Sequence, residues 1–321
     1  MRTLLATTRD RFLLALKYRD YRNLWIATTF SASAAWALII ARGLLAFELT
    51  DGLLWSGIVT FAAMAPRLFS TPIAGFLADR FDRQMLIRWI FALNMANNIL
   101  LALLVMNGLA GPWTLTFLAL ANGTLRSAQM TMATALIPNL VPKEHLLNAI
   151  ALNQATQQGA RLAGALAIAP LLGWVNIEAT FWLCSGLYFL GFLQVSRVTT
   201  RSTGVIDKTQ GFWANLFEGF VYVYRRPIIM SMVLLVLAHC AFTMSYESIL
   251  PAISEDKLGA GRVGVSYLIA GVGGGALFAS IFLAGVRSDS VRGKLFLFFA
   301  VSSALGPMLL AWSDSAAVSI A

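Results

Sequence analysis

Charged side chains are scarce in this sequence. Only 12% of its 321 residues are Asp, Glu, Lys or Arg, whereas 58% are hydrophobic and the mean hydropathy is +0.73. An ordinary soluble domain carries about 25% charged residues, so the composition excludes that class. Cysteine is also rare, and Cys184 and Cys240 both lie in apolar runs. They predict neither a disulfide framework nor a metal site.

Long runs without a charge fill the chain from Leu24 onward, and each is close to the ~20 residues that cross a bilayer core. They predict an all-α polytopic membrane protein with about nine spans. The predicted spans are 24–49, 53–77, 86–107, 113–136, 147–173, 178–197, 228–252, 263–285 and 294–312. A tenth span is expected to begin near Ala316.

Basic residues outnumber acidic ones, 24 to 15, and they are distributed unevenly between the loops. The N-terminal segment 1–22, the loop after the second span and the stretch 197–226 are basic, whereas the opposite side has only Lys257 and Arg262. The positive-inside rule then predicts a cytoplasmic N-terminus in the cell (inner) membrane. Because topology explains the positive charge, no nucleic-acid partner is expected.

A polar stretch at 197–210 separates six spans from the rest and leads into an amphipathic segment at 212–224. It predicts two helical bundles joined by a cytoplasmic linker, the architecture of many secondary transporters. The predicted parts are an amphipathic N-terminus at 1–22, a six-helix bundle at 23–197, a linker at 198–227 and a partial second bundle at 228–321.

The most specific motif is the loop 75–84, between the second and third spans. Gly75 favours the close approach of a neighbouring helix. Asp79 can accept hydrogen bonds from the free amides of a helix N-terminus, and Arg80 and Arg83 can pair with carboxylates. Such a charge cluster can hold two bundles together in one conformation and release them in another.

Loop 75–84 resembles the signature loop of the major facilitator superfamily, with Asp82 where the family usually has glycine. The matching positions are Gly75, Asp79, Arg80 and Arg83. The stretches 65–68, 136–142 and 148–162 are similar to the branch that contains macrolide-efflux and enterobactin-exporter proteins. The resemblance implies the major facilitator fold with twelve spans. The first bundle would be complete, and the chain is expected to be C-terminally truncated, without the eleventh helix that the signature aspartate caps in the family.

Polar residues inside the predicted spans are candidates for a substrate or coupling pathway, because a charge that faces lipid costs ~2.5–3.5 kcal/mol. In span four, Asn122, Arg126 and Gln129 share one helical face, and in span five Gln157 and Arg161 do so. The alternative for both arginines is structural, either pairing with backbone carbonyls or extending to the membrane surface.

The remaining polar and aromatic candidates have two interpretations each. Arg42 in span one either binds an anionic substrate or pairs across the bundle. Trp36 either contributes to a cavity or packs between helices, and the same choice applies to the amide cluster of Asn94, Asn97 and Asn98. Glu247 is the first choice for a proton carrier, unless it lies near the outer surface.

The resemblance implies a secondary active transporter that exports a small amphipathic molecule, such as a drug, a macrolide or a siderophore, by proton-coupled alternating access. No cofactor is expected beyond the proton gradient, and no enzymatic activity is expected. The expected partners are the substrate and the lipid bilayer, and the protein is expected to be a monomer. An antiporter glycine-proline pair is absent from span five, where Ala165 follows Gly164. The alternatives are an uptake permease for an organic solute and a non-transporting membrane protein.

Overall fold

The computed structural model describes residues 14–50, 52–174, 176–202, 217, 220–242, 246, 249–257, 259 and 261–285, with isolated positions from 294 to 312. Several predicted features lie outside the described residues. They are the first thirteen residues, the linker from 203 to 216, most of the ninth span and the proposed proton carrier Glu247.

The described part of the chain is built from helices. A 3₁₀ turn at Leu14–Lys17 comes first, and a helical turn at Leu250–Ala252 continues into a π-helical turn at Ile253–Lys257. The remaining helices are α1 (Arg19–Thr50), α2 (Leu53–Met64), α3 (Arg67–Arg80), α4 (Arg83–Met106), α5 (Pro112–Leu140), α6 (Lys143–Trp174), α7 (Ile177–Ser196), α8 (Pro227–Phe242) and α9 (Gly261–Gly285).

The second predicted span is broken into α2 and α3 at Ala65 and Pro66. Proline has no backbone N–H and its ring clashes with the preceding turn, so it kinks or interrupts a helix. The ladder resumes at once, since the Ser70 N–H donates to the Pro66 carbonyl at 2.7 Å. In the seventh predicted span, the described residues form α8 at Pro227–Phe242 and a helical turn at Leu250–Ala252.

Four stretches of the described chain are long and apolar enough to cross a membrane, judged by length and composition alone: Arg19–Thr50, Leu54–Arg80, Arg83–Met106 and Ile177–Ser196. Helices α5 and α6 have the length but carry the polar stripes that include Arg126 and Arg161, which lower their mean hydropathy. Helices of this kind are usually placed inside a bundle, where their polar faces avoid lipid.

Helix α1 is the centre of the packing and contacts α2, α5, α6, α7 and α9. Its stretch Ser31-Ala32-Ser33-Ala34-Ala35 is buried throughout. Small side chains let helix backbones approach closely, which is how helices associate where lipid removes the hydrophobic driving force. Gly164 of α6 completes this contact, because a Cβ atom there would strike the carbonyl oxygen of Ser33.

The substitution Gly164→Val should destabilise the protein by ~1–3 kcal/mol, because the new side chain meets backbone rather than a movable side chain. Gly186→Val is the matched control, since a Cβ at Gly186 of α7 meets no described atom within 4 Å. It should change stability by less than about 0.5 kcal/mol. Thermal unfolding of the detergent-purified variants measures the difference, and equal midpoints would contradict the packing of α6 on α1.

Candidate functional site

A pocket lies within the bundle between α1, α2, α3 and α5, and we call it the arginine pocket. Three of its lining residues are arginines, and its apolar wall includes Ile39, Val59 and Met64. The full lining is Ile39, Arg42, Val59, Thr60, Ala63, Met64, Arg67, Asn122, Gly123 and Arg126. Gly123 lets α5 approach α2 at this point, because a Cβ there would strike the carbonyl oxygen of Ala63.

Arg42 is 2% exposed and is held by amide side chains of α4 and α5. Its Nη1 donates to Asn122 Oδ1 and its Nη2 to Asn98 Oδ1, both at 3.1 Å. Asn122 Nδ2 in turn donates to Asn94 Oδ1 at 2.8 Å, and Asn98 Nδ2 to the Asn94 carbonyl at 2.8 Å. Arg42 therefore contacts neighbouring helices, as one of its two interpretations predicts, but its partners there are neutral.

The predicted polar face of α5 is buried, with Asn122, Arg126 and Gln129 each less than 9% exposed. The three residues nevertheless make different contacts. Asn122 holds Arg42, Arg126 lines the arginine pocket, and Gln129 Nε2 donates to Ser31 Oγ of α1 at 2.5 Å. The Gln129 Oε1 atom is buried without a hydrogen bond in the described part of the chain.

Trp36 of α1 brings two of the predicted arginines together. The Arg161 guanidinium carbon lies 4.5 Å from the centroid of its ring, and that of Arg126 lies 5.4 Å from it. Both distances fall within the ~6 Å range of cation–π attraction. Arg161 is 4% exposed, whereas Gln157, one turn earlier on α6, is half-buried and does not line the arginine pocket.

The Asn cluster of α4 is the part of the site whose role the sequence left open. Asn94 and Asn98 are fully buried and connect to Arg42 through Asn98 and Asn122. Asn97 instead donates to the backbone carbonyl of Leu118 at 3.3 Å, which is a helix-packing contact. The spacing of four residues between Asn94 and Asn98 indicates that they share a helical face. It does not indicate that this face meets Arg42.

Arg83 is the centre of loop 75–84. Its Nε donates to the Ala78 carbonyl at 2.9 Å, and its Nη1 donates to the Ala135 carbonyl at 2.8 Å. Its Nη2 lies 3.3 Å from Asp79 Oδ1. One guanidinium on α4 therefore joins α3 and α5. A cation is favourable near the carbonyls at the C-terminal ends of helices.

The other predicted loop residues differ in part from the expectation. Asp82 caps α4, because its Oδ1 accepts from the Gln84 N–H at 2.9 Å, whereas Asp79 lies in the last turn of α3 and reaches Arg83. Arg80 is stacked on Phe76, 4.1 Å from the ring centroid, and pairs with no carboxylate in the described part of the chain. At Gly75 the expected close approach is not found, since no described atom lies within 4 Å of a Cβ there.

The residues that follow α7 are bound to the same end of the bundle, which the sequence did not predict. Asp20 Oδ2 accepts from the N–H and hydroxyl groups of Thr199 and Thr200, at 2.7–3.0 Å. Ser202 is 4% exposed. Its carbonyl accepts from the Arg83 N–H at 2.9 Å, and its hydroxyl from Asn139 Nδ2 at 2.5 Å. The start of the predicted linker is thus tied to loop 75–84.

Comparison with known proteins agrees with these features. The model of a family described as transmembrane secretion effectors, within the major facilitator superfamily, matches residues 13–321. The chain belongs to this family. A crystal structure of a D-xylose–proton symporter is similar with a TM-score of 0.55 at 11% identity, covering 83% of this chain and 68% of the symporter. That likeness shows the major facilitator fold.

Two curated relatives carry the name of uncharacterized MFS-type transporters. YfiS of Bacillus subtilis is 22% identical over 215 residues, and y4rN of Sinorhizobium fredii is 23% identical over 260 residues. The matches cover 65% and 79% of this chain. They span 50% and 63% of the two relatives' own lengths, so this chain corresponds to about half or three fifths of each.

The substitution Arg83→Lys should loosen loop 75–84 although it keeps the charge. Arg83 reaches the Ala78 carbonyl, the Ala135 carbonyl and Asp79 from three different nitrogens. A lysine has a single nitrogen, so it cannot span these three acceptors. Lost hydrogen bonds to a charged group cost ~1.5–3 kcal/mol, so amide exchange at 196–202 should accelerate at least tenfold.

Arg80→Lys is the control for this experiment, because Arg80 is exposed and contacts only the Phe76 ring among the described residues. Hydrogen–deuterium exchange of both variants in detergent measures the effect. Unchanged exchange at 196–202 in Arg83→Lys would show that the linker is not held through this arginine.

Proposed function

We propose that this protein is a secondary active transporter that exports a small amphipathic molecule, such as a drug, a macrolide or a siderophore, by alternating access coupled to proton entry. The observation that carries the proposal is the arginine pocket, a buried site that combines guanidinium and amide groups with an apolar wall. An amphipathic molecule offers both kinds of surface. Transporters of this fold hold substrate between their two bundles near the bilayer midplane, and in this proposal the arginine pocket belongs to that space.

The export direction is favoured by the family description, since a secretion effector moves material outward. The same proposal places the protein in the cell inner membrane, as a monomer with a cytoplasmic N-terminus and with no cofactor beyond the proton gradient. Transport rather than catalysis is also favoured by the two relatives named as transporters.

Proton coupling is assigned to Glu247 in this proposal, because a carboxyl group inside a span can bind and release a proton near neutral pH. Protonation would change the relative free energies of the inward-open and outward-open states. Loop 75–84 would act as the latch between these states, since Arg83 joins three helices through one side chain and pairs with Asp79.

Glu247→Gln should abolish flux that depends on a pH gradient. Purified protein in proteoliposomes would be tested with radiolabelled erythromycin and enterobactin, with and without an imposed gradient. The gradient-dependent rate of the variant should be at least tenfold lower than that of the unmodified protein. Glu144→Gln is the control, because Glu144 is exposed in the first turn of α6. Full gradient-dependent flux in Glu247→Gln would refute the assignment, and flux of the opposite direction would establish uptake.

Asp79→Asn should slow conformational cycling while leaving substrate affinity within about twofold. The change removes the charge that pairs with Arg83 at 3.3 Å but keeps the side-chain shape. Asp82→Asn is the matched control, because asparagine caps a helix as well as aspartate does. Flux and equilibrium binding measured on the same preparations separate the two effects. A parallel loss of affinity in Asp79→Asn would refute a latch.

A further inference from the structure

The arginine pocket holds more positive charge than its described surroundings balance. Two of the arginines that line it, Arg42 and Arg126, are buried, at 2% and 8% exposure. None of the lining residues is acidic. Neither Arg42 nor Arg126 forms an ion pair in the described part of the chain, whereas Arg83 pairs with Asp79 and Arg201 with Asp82.

Arg42 retains unused hydrogen-bonding capacity. A guanidinium has five N–H donors, and those of Arg42 make two hydrogen bonds in the described part of the chain, to Asn122 and Asn98. Its Nε is buried without a partner among the described residues. The asparagine oxygens fix the orientation of the group but carry no negative charge. Its charge is therefore oriented without being neutralised.

Arg126 is held in a similar way. Its guanidinium approaches the Trp36 ring of α1 at 5.4 Å, and the same ring receives Arg161 from α6 at 4.5 Å. An aromatic face attracts a cation but leaves its N–H groups free to donate. An arginine fork of this kind matches the geometry of a carboxylate or another oxyanion.

A buried charge that lacks an opposite charge is strongly unfavourable, and more so in a membrane protein. We infer that the arginine pocket is an anion-binding site for the acidic group of the transported molecule, with Arg42 and Arg126 as its ligands. The cavity volume of the pocket is about 10 Å³, about the space of one water molecule, so the pocket takes the acidic group alone and the hydrocarbon part extends out of it. The substrate class is an amphipathic organic anion. This inference rests on the proposed transport function and makes it more specific.

The phosphate of an anionic lipid headgroup is another oxyanion that the same arginines could bind. The pocket favours a solute, because its lining residues come from four helices that pack around it within the bundle. Neutral lipid in the assay, followed by addition of phosphatidylglycerol, separates the two sources. Displacement of a bound solute by that lipid would assign the site to lipid and overturn the inference.

The test uses the whole chain in nanodiscs of phosphatidylcholine and two probes that differ in charge, salicylate and its neutral amide, salicylamide. Equilibrium dialysis with radiolabelled probes should show saturable binding of salicylate, with a Kd at least tenfold lower than that of salicylamide. Arg42→Gln and Arg126→Gln should each raise the salicylate Kd at least tenfold. Arg225→Gln, at an exposed position just before α8, should change it less than twofold.

Arg42→Lys guards against a folding defect, because it keeps a cation at the position and should bind salicylate more tightly than Arg42→Gln does. Equal affinity for salicylate and salicylamide, or unchanged affinity in both Gln variants, would overturn the inference. So would absence of salicylate binding to the unmodified chain. Binding can be measured without a pH gradient, so the two proposals can fail separately. Charge-selective binding without any flux would contradict the proposed transport alone. Flux together with equal binding of salicylate and salicylamide would contradict the anion site alone.

Discussion

A guanidinium inside a bilayer has no water to donate to, and the arrangement of the first six predicted spans depends on how such groups are accommodated. Arg42 reaches across to amides of α4 and α5, and Arg126 and Arg161 approach Trp36 from α5 and α6. These contacts require α1 to lie at the centre of the bundle. Its small residues allow it to do so, because they bring the neighbouring backbones within reach of short side chains.

The second arginine centre holds one end of the same bundle together. Arg83 donates to carbonyls of α3 and α5 and approaches Ser202, while Asp20 of α1 binds Thr199 and Thr200. The first and last helices of the bundle and loop 75–84 therefore share one hydrogen-bonded network. A movement that changes loop 75–84 must also change the start of the predicted linker. This gives the latch proposed for Asp79 and Arg83 a physical route to the rest of the protein.

Much of the fold could be predicted from hydropathy, since the bounds of α1 and α4 to α7 lie near the predicted spans. The polar face of α5 was predicted too, because residues spaced by three and four share a side of a helix. The break at Pro66 and the capping of α4 by Asp82 were not predicted. Both depend on the backbone geometry of single residues, whereas hydropathy is averaged over about twenty residues of a span.

The sequence by itself determined that this is a helical membrane protein of the major facilitator type, because apolar run length, loop charge and the residues of loop 75–84 are local properties. Only the tertiary structure decided that Arg42 faces Asn98 and Asn122, and that Ser202 meets Arg83. These partners lie 56, 80 and 119 residues apart in the chain. Which polar groups meet at such separations depends on the mutual rotation of whole helices, and that rotation is set by close packing at small residues such as Gly123 and Gly164.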